Sequence, residues 1–201
     1  MKRVLLAAWV VLCLLAGCSK NSAPPATQPQ ASETVGQPVL GEPGETVAAV
    51  ILGDIWAQYE AQERFSVYGG VPSRPTPDGP GDLDLQLPEK WLENIRYPIN
   101  CVDNVDQGAC LTHLLNETLF TAAAFRVTDS ENAASVLQQW RREVQRSNWS
   151  TVAPERLLLA QVGEKYLIMS MGSKNNIQTF RQKLKAAYPT ACIFCEEPIT
   201  C

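Results

Sequence analysis

The order of hydrophobic patterns predicts an α+β fold: two layers, with a small antiparallel sheet of three or four strands carrying helices mainly on one face. Three observations predict it. Helical stripes open and close the part of the chain that can fold, a third helical stripe lies between strand-like runs, and a Gly163-Glu164 break separates two of those runs. Sheets and amphipathic helices each have an apolar side to bury, and packing one on the other is the simplest way to bury both.

The first helix is expected from Thr46. Apolar residues recur at Val47, Ile51, Ile55 and Tyr59, supported by Ala48, Leu52 and Trp56, and Thr46 can cap the stripe. From Gly69 to Asp82, 8 of 14 positions are Gly or Pro, a density that reads as an exposed excursion without regular structure. Leu83, Leu85 and Leu87 alternate with Asp84 and Gln86, as in a short edge strand ending at Pro88. Pro88 to Ile95 suits a helical turn with proline at its first position. A loop is expected from Arg96 to Gly108 and a short helix near Leu111 to Asn116.

The second half is more sharply patterned. Thr118 to Val127 reads as a strand, and Thr128 with Glu131 matches a capping box. The helix that follows would bury Ala133, Val136, Leu137, Trp140 and Val144 and turn Arg141, Arg142, Glu143 and Arg146 to water. Glu155–Val162 and Lys165–Met171 form a β-hairpin, with Tyr166 to Met169 apolar at every position, as in a strand covered on both faces. Ser173 can cap a last helix carrying Ile177, Phe180, Leu184 and Tyr188, which Pro189 stops. The expected organisation is a signal at 1–17, a lipid-bearing Cys18 with a disordered tether to 45, one domain at 46–190, and a cysteine-containing tail at 191–201.

The signal rests on Lys2-Arg3, the uncharged apolar run from Val4, and small residues ahead of Cys18. That run is 15 residues to Cys18, short of the roughly 20 a spanning helix needs. Leu15-Ala16-Gly17-Cys18 resembles the bacterial lipobox, in which the cysteine sulfur takes a diacylglyceryl group and the leader is cut just before it. Two or more acyl chains such as palmitate give a stable anchor where one does not. Cys18 is therefore the expected lipidation site, and the location is the outer face of the cell membrane or the outer membrane. Ser19 to Glu45 is rich in Pro, Ser, Gln and Thr, too polar to offset the entropy of ordering. As a coil, its 27 residues would reach roughly 25–30 Å.

The charge balance excludes one class of partner. The 201 residues carry 17 Lys and Arg against 21 Asp and Glu, a net charge of −4, unlike a nucleic-acid binder. Without Lys2 and Arg3 the balance is 15 against 21, or −6. Such a body is repelled by anionic lipid, so lipid rather than charge would hold it at the membrane, with the domain standing off in water.

Lipobox, polar tether and opening helix, followed by Phe120 to Tyr188, resemble a family of small bacterial lipoproteins carrying a domain of unknown function (DUF4358-type). The features that carry the resemblance are Ala124-Phe125-Arg126-Val127, Trp140-Arg141-Arg142, Trp149 leading to Pro154-Glu155, and Gly163-Glu164-Lys165-Tyr166. The resemblance implies a lipid-anchored extracytoplasmic domain and brings no catalytic residues.

Seven cysteines are present. Cys13 leaves with the signal, Cys18 carries lipid, and Cys101, Cys110, Cys192, Cys195 and Cys201 are candidates for disulfides in an oxidising compartment. Five thiols can form two bridges and a leftover in fifteen ways. Cys101–Cys110 is the first choice because the pair flanks the polar stretch Val102 to Ala109, and closing it would contribute about 2.7 kcal/mol. The second bridge is expected within Cys192, Cys195 and Cys201, or from the tail to the 101–110 stretch. Cys192-Ile193-Phe194-Cys195 is a C-x-x-C, but it follows a helix and precedes Glu196 and Glu197. A redox dithiol works by placing its first thiol at a helix N-terminus, which stabilises thiolate, whereas neighbouring carboxylates disfavour it.

His113 is the single histidine and lacks the surroundings of a triad or a metalloprotease site. Asp103 and Asp106 miss the calcium-loop spacing at Val105, and one C-x-x-C is half of a zinc site, so no metal and no cofactor is expected. Asn116-Glu117-Thr118 and Asn148-Trp149-Ser150 match glycosylation acceptors, which a bacterial lipoprotein rarely uses. The expected function is a lipid-anchored, non-enzymatic binding or accessory domain for an envelope protein or small ligand. The alternative is an envelope thiol-disulfide oxidoreductase using Cys192 and Cys195.

Overall fold

A computed structural model describes residues 46–86, 103–149 and 152–200. The signal, Cys18, the tether, Leu87, the Pro88–Ile95 turn, Cys101 and Cys201 lie outside the described residues. The order is α1 Val47–Ala57, β1 Val67–Val71, β2 Arg74–Pro77, β3 Gly81–Asp82, β4 Val105–His113, β5 Phe120–Val127, α2 Ala133–Arg146, β6 Arg156–Val162, β7 Tyr166–Gly172, α3 Lys174–Ala187 and β8 Cys192–Pro198. A 3₁₀ turn at Ser130–Asn132 leads into α2.

All the strands among the described residues join one antiparallel sheet in the order β2-β1-β4-β5-β7-β6-β8, with β3 on β4 beside β1. The α+β class is as expected, but the sheet has eight strands rather than three or four. The layering also differs, because the central strands are apolar on both sides. Leu157 and Leu159 of β6, Leu167, Met169 and Met171 of β7 and Phe125 of β5 pack with Val136, Leu137, Trp140 and Val144 of α2. The alternate residues Leu158, Ala160, Ile168, Ala122 and Ala124 pack with Ile51, Leu52 and Ile55 of α1 and Ile177, Phe180 and Leu184 of α3. A sheet with two apolar faces needs cover on both, so α2 lies on one face and α1 with α3 on the other.

The expected caps explain where α1 and α3 begin. Thr46 accepts from Ala49 N at 3.3 Å and donates to Asp82 Oδ1 at 2.6 Å, tying the start of α1 to β3. Ser173 caps α3 through Asn176 N. The capping box at Thr128 is displaced by one residue. Asp129 is the cap, accepting from Glu131 N at 3.0 Å, while the Thr128 backbone N–H donates to Asn104 O. A carboxylate is the better acceptor for a free helix N–H. Tyr188 at the end of α3 donates to Asp54 on α1 at 2.5 Å, joining the two helices.

The Gly/Pro segment is the largest departure. Rather than an unstructured excursion it supplies β1, β2 and β3, with Tyr68–Val71 antiparallel to Arg74–Pro77. The glycines serve close approach: a Cβ on Gly69 would lie 2.1 Å from Gly81 N and 2.5 Å from Cys110 O. Pro75 and Pro77 sit on β2, an exposed border strand where a missing N–H costs no ladder bond. Leu83 and Leu85 do not form the expected strand. Leu83 is buried in the α2-side core, and its N–H donates to Gly108 O.

The loop and short helix expected between Arg96 and Asn116 also give way. Val105–His113 is one strand, β4, pairing with β5 from Val105↔Val127 to Thr112↔Thr121. Its polar residues Asp106 and Gln107 sit at the exposed start, and the run from Gly108 to Thr112 is buried. The presumed tail 191–201 contributes β8, paired with β6 from Gln161↔Cys192 to Arg156↔Pro198, with a bulge at Phe194. It is therefore part of the domain's sheet.

Candidate functional site: an arginine-lined cleft beside the C-terminal strand

Helix α2 places Gln138, Arg142 and Arg146 at four-residue spacing, and Arg141 and Gln145 one row nearer β8. Its opposite face is fixed by the fully buried Trp140, whose ring meets Phe125 edge-on at 5.4 Å. With that face locked, the polar rows point across the end of β8. Together with Glu197, Pro198 and Thr200 they line an open cleft of about 440 Å³.

The wall nearest β8 is hydrogen-bonded throughout. Arg141 grips Glu197 with both arms of its guanidinium, Nη2 to Oε2 at 2.6 Å and Nε to Oε1 at 2.9 Å. Gln145 donates to Glu197 Oε1 at 2.8 Å and to Pro198 O at 2.9 Å, and accepts from Thr200 N at 3.1 Å. Fork-shaped pairs of this kind fix geometry as well as adding energy. Arg141 holds the Glu197 carboxyl below the usual carboxylate range, against the opposing effect of burial and with Gln145 helping. On the other side of β8, Glu196 meets Arg156 at 3.3 Å and Arg181 at 3.4 Å. Arg142 and Arg146, by contrast, are exposed and meet no carboxylate among the described residues. Among the described residues the cleft thus has a hydrogen-bonded, neutralised wall and two cations without a carboxylate partner along its rim.

The sequence-predicted site residues fall elsewhere. Cys110, Cys192 and Cys195 are free thiols, and no disulfide joins described residues. Cys110 lies inside β4 rather than at the edge of a loop, with its thiol donating to Gly70 O at 3.5 Å. Burial pushes that thiol up to about 12. Cys192 and Cys195 share strand β8, with no helix N-terminus at either. Cys195 is half-buried, and burial followed by the Glu197 charge pushes its thiol up to about 11. Both effects oppose a thiolate nucleophile.

His113 is structural. Its Nδ1 accepts from Leu115 N at 3.1 Å and Asn116 N at 3.3 Å, and its ring stacks on Phe65 at 5.1 Å. Asp106 is engaged by Arg126 at 2.7 and 2.8 Å, which holds its carboxyl below the usual range. Among the described residues no group of three His, Cys, Asp or Glu converges to hold a metal, and no helix is long and apolar enough to cross a membrane.

Sequence reasoning assigned Arg141 and Arg142 to a solvated face. Glu197 is 56 positions away from Arg141, and no local pattern announces their pairing. Comparison with protein-family models, curated proteins and solved structures found no match.

Proposed function

We propose that the chain is an envelope lipoprotein, held on the extracytoplasmic side of a membrane through Cys18, whose body is a non-catalytic binding module for an anionic ligand or partner. One observation carries the binding part: the α2–β8 cleft, with two guanidinium groups that meet no carboxylate among the described residues, over a wall already satisfied by its own hydrogen bonds. Cations that meet no internal carboxylate are available to an external anion, and the planar fork of arginine suits carboxylate or phosphate oxygens. That they persist in a chain with a net negative charge adds weight. The anchoring part is supported by Lys2-Arg3, the apolar run and Leu15-Ala16-Gly17-Cys18, and it agrees with what the resemblance to small bacterial lipoproteins implies.

The oxidoreductase alternative gains nothing from the placement of Cys192 and Cys195 on a strand, with Cys195 pushed up. The test of the binding reading is titration of the chain with inorganic phosphate and with citrate, beside the double variant Arg142→Gln/Arg146→Gln. Saturable binding that weakens at least tenfold in the variant is expected; unchanged affinity removes the cleft as the site. Cell fractionation of Cys18→Ala tests the anchor, which fails if the variant stays with the membrane.

A further inference from the structure

Among the described residues, five large hydrophobic side chains are exposed, and three of them belong to the single turn between β4 and β5: Leu114 at 55%, Leu115 at 85% and Leu119 at 40%. Val152, at 69%, precedes β6 at the same end of the sheet, since Arg156 opens β6 opposite Gly172 and Gly172 lies opposite Phe120. Exposed leucines scattered singly need no explanation, whereas a cluster at one end does.

The backbone that carries them is braced. Leu114 N donates to Ser66 O at 2.9 Å, His113 Nδ1 accepts from Leu115 N and Asn116 N, and Asn116 Oδ1 accepts from the Thr118 backbone at 3.0 Å. Leu119 O accepts from Ser173 N at 3.0 Å and from Asn176 Nδ2 at 2.9 Å. The turn's backbone is thus tied to itself and to α3, while the side chains of Leu114, Leu115 and Leu119 stand exposed beside those of Asn116 and Glu117. Burying them against a second surface would therefore require little further ordering of the turn.

We infer that this turn is an apolar foot that rests on the outer surface of the phospholipid bilayer to which Cys18 is anchored. The inference rests on the anchor reading and concerns a different part of the molecule from the arginine cleft. Residues 114–119 contain no Lys or Arg and one exposed carboxylate, Glu117, so attraction to anionic lipid cannot drive the contact and the leucines must supply it. The turn adjoins Ser66, beyond the C-terminal end of α1, while the anchored segment joins α1 at Thr46. Helix α1 is 11 residues, about 16 Å. The segment from Ser19 to Glu45, read from composition as a coil of roughly 25–30 Å, is long enough for the foot to reach the membrane that holds the lipid. Two or three leucines bind a bilayer weakly on their own. Held beside it by a lipid, the same contact becomes intramolecular and forms at high effective concentration. This modifies the expectation that the body stands clear of the surface. The net negative charge still opposes anionic lipid, so a zwitterionic surface is preferred.

The test uses the full chain, produced in a bacterium that acylates lipobox cysteines and then mixed with phosphatidylcholine vesicles that carry brominated acyl chains. Leu115→Trp is compared with Glu164→Trp, which sits in the exposed β6–β7 turn at the opposite end of the sheet. Both positions are exposed, so neither change disturbs the core. At least twofold more quenching of the added indole at 115 than at 164 is expected, declining as phosphatidylglycerol replaces phosphatidylcholine. Co-flotation with the vesicles but equal or absent quenching overturns the foot and leaves the anchor standing. Quenching that rises with anionic lipid also overturns it, by making the contact electrostatic. Failure to float overturns the anchor reading and the foot together.

Discussion

Replacing Gly69 with alanine separates two descriptions of the Gly/Pro segment. In an exposed loop the change would fall within about ±0.5 kcal/mol. In the structure the added methyl would lie 2.1 Å from Gly81 N, 2.4 Å from Pro80 C and 2.5 Å from Cys110 O, all backbone atoms, with Gly81 and Cys110 paired to each other on β3 and β4. Ordinary contacts begin near 3.5 Å, so β3 would have to retreat by about 1.4 Å. Such overpacking costs about 1–3 kcal/mol. Retreat also breaks the Gly81↔Cys110 and Asp82↔Ala109 pairing and the Thr46–Asp82 hydrogen bond, at about 1 kcal/mol for each bond lost. The expected loss is about 4–6 kcal/mol, or roughly 8–24 °C in Tm for a domain of this size. Urea unfolding followed by far-ultraviolet circular dichroism measures it. Gly79→Ala, in the same segment with nothing nearer than Pro77 O at 4.0 Å, should be close to neutral. Gly163→Ala meets no atom but sits at φ +59°, and should lose about 1–2 kcal/mol. If Gly69→Ala proves as stable as Gly79→Ala, the close crossing of β1 over β3 is wrong.

Three further outcomes are expected. Glu197 has its carboxyl lowered in the folded chain, so its contribution to stability is complete above the ordinary carboxylate range and lost as pH falls through its folded value. Glu197→Gln should accordingly flatten the acid limb of a stability–pH curve below about pH 4, and an unaltered limb would show that the Arg141 grip contributes nothing. Native alkylation at pH 8, read by peptide mass spectrometry, should label exposed Cys192 first, Cys195 slowly and Cys110 only on unfolding; prompt labelling of Cys110 contradicts its burial. His113→Ala should lose about 1–2 kcal/mol, since two backbone N–H groups lose their acceptor and Phe65 its stacking partner. A chain no less stable without His113 would remove its role in the turn.

What the sequence made legible follows from the range of the forces involved. Helices α1, α2 and α3 and the β6–β7 hairpin are written in local periodicity: Val136, Leu137, Trp140 and Val144 mark their own face whatever packs against it. Strand β5 was legible for the same reason. The β1–β3 segment was not, because glycine is demanded equally by a loose loop and by two backbones crossing at van der Waals limits. Only the partner, Cys110 on a distant strand, distinguishes them. Strand β4 carries Asp106, Gln107 and Gly108 directly after its first residue, polar or small residues that weaken its alternation, and its pairing with β5 is a tertiary fact. In β8 the cysteines suggested bridges, whereas Cys195 packs as a small hydrophobe beside the α2 core. The cleft was half legible. Arg141 and Arg142 were recognised as a polar face, but the carboxylate that fixes one of them and leaves the other free comes from the far end of the domain.

The two borders of the sheet have a consequence of their own. Strand β2 ends the sheet with Pro75 and Pro77, which offer no N–H to an incoming chain, and β8 ends it with a kink at Phe194 and a closing Pro198. Among the described residues neither rim offers a long, straight row of donors and acceptors, which disfavours side-by-side pairing of neighbouring copies. In the lipid-anchored arrangement proposed above, where molecules share a two-dimensional surface and encounters are frequent, that would guard against fibrous assembly.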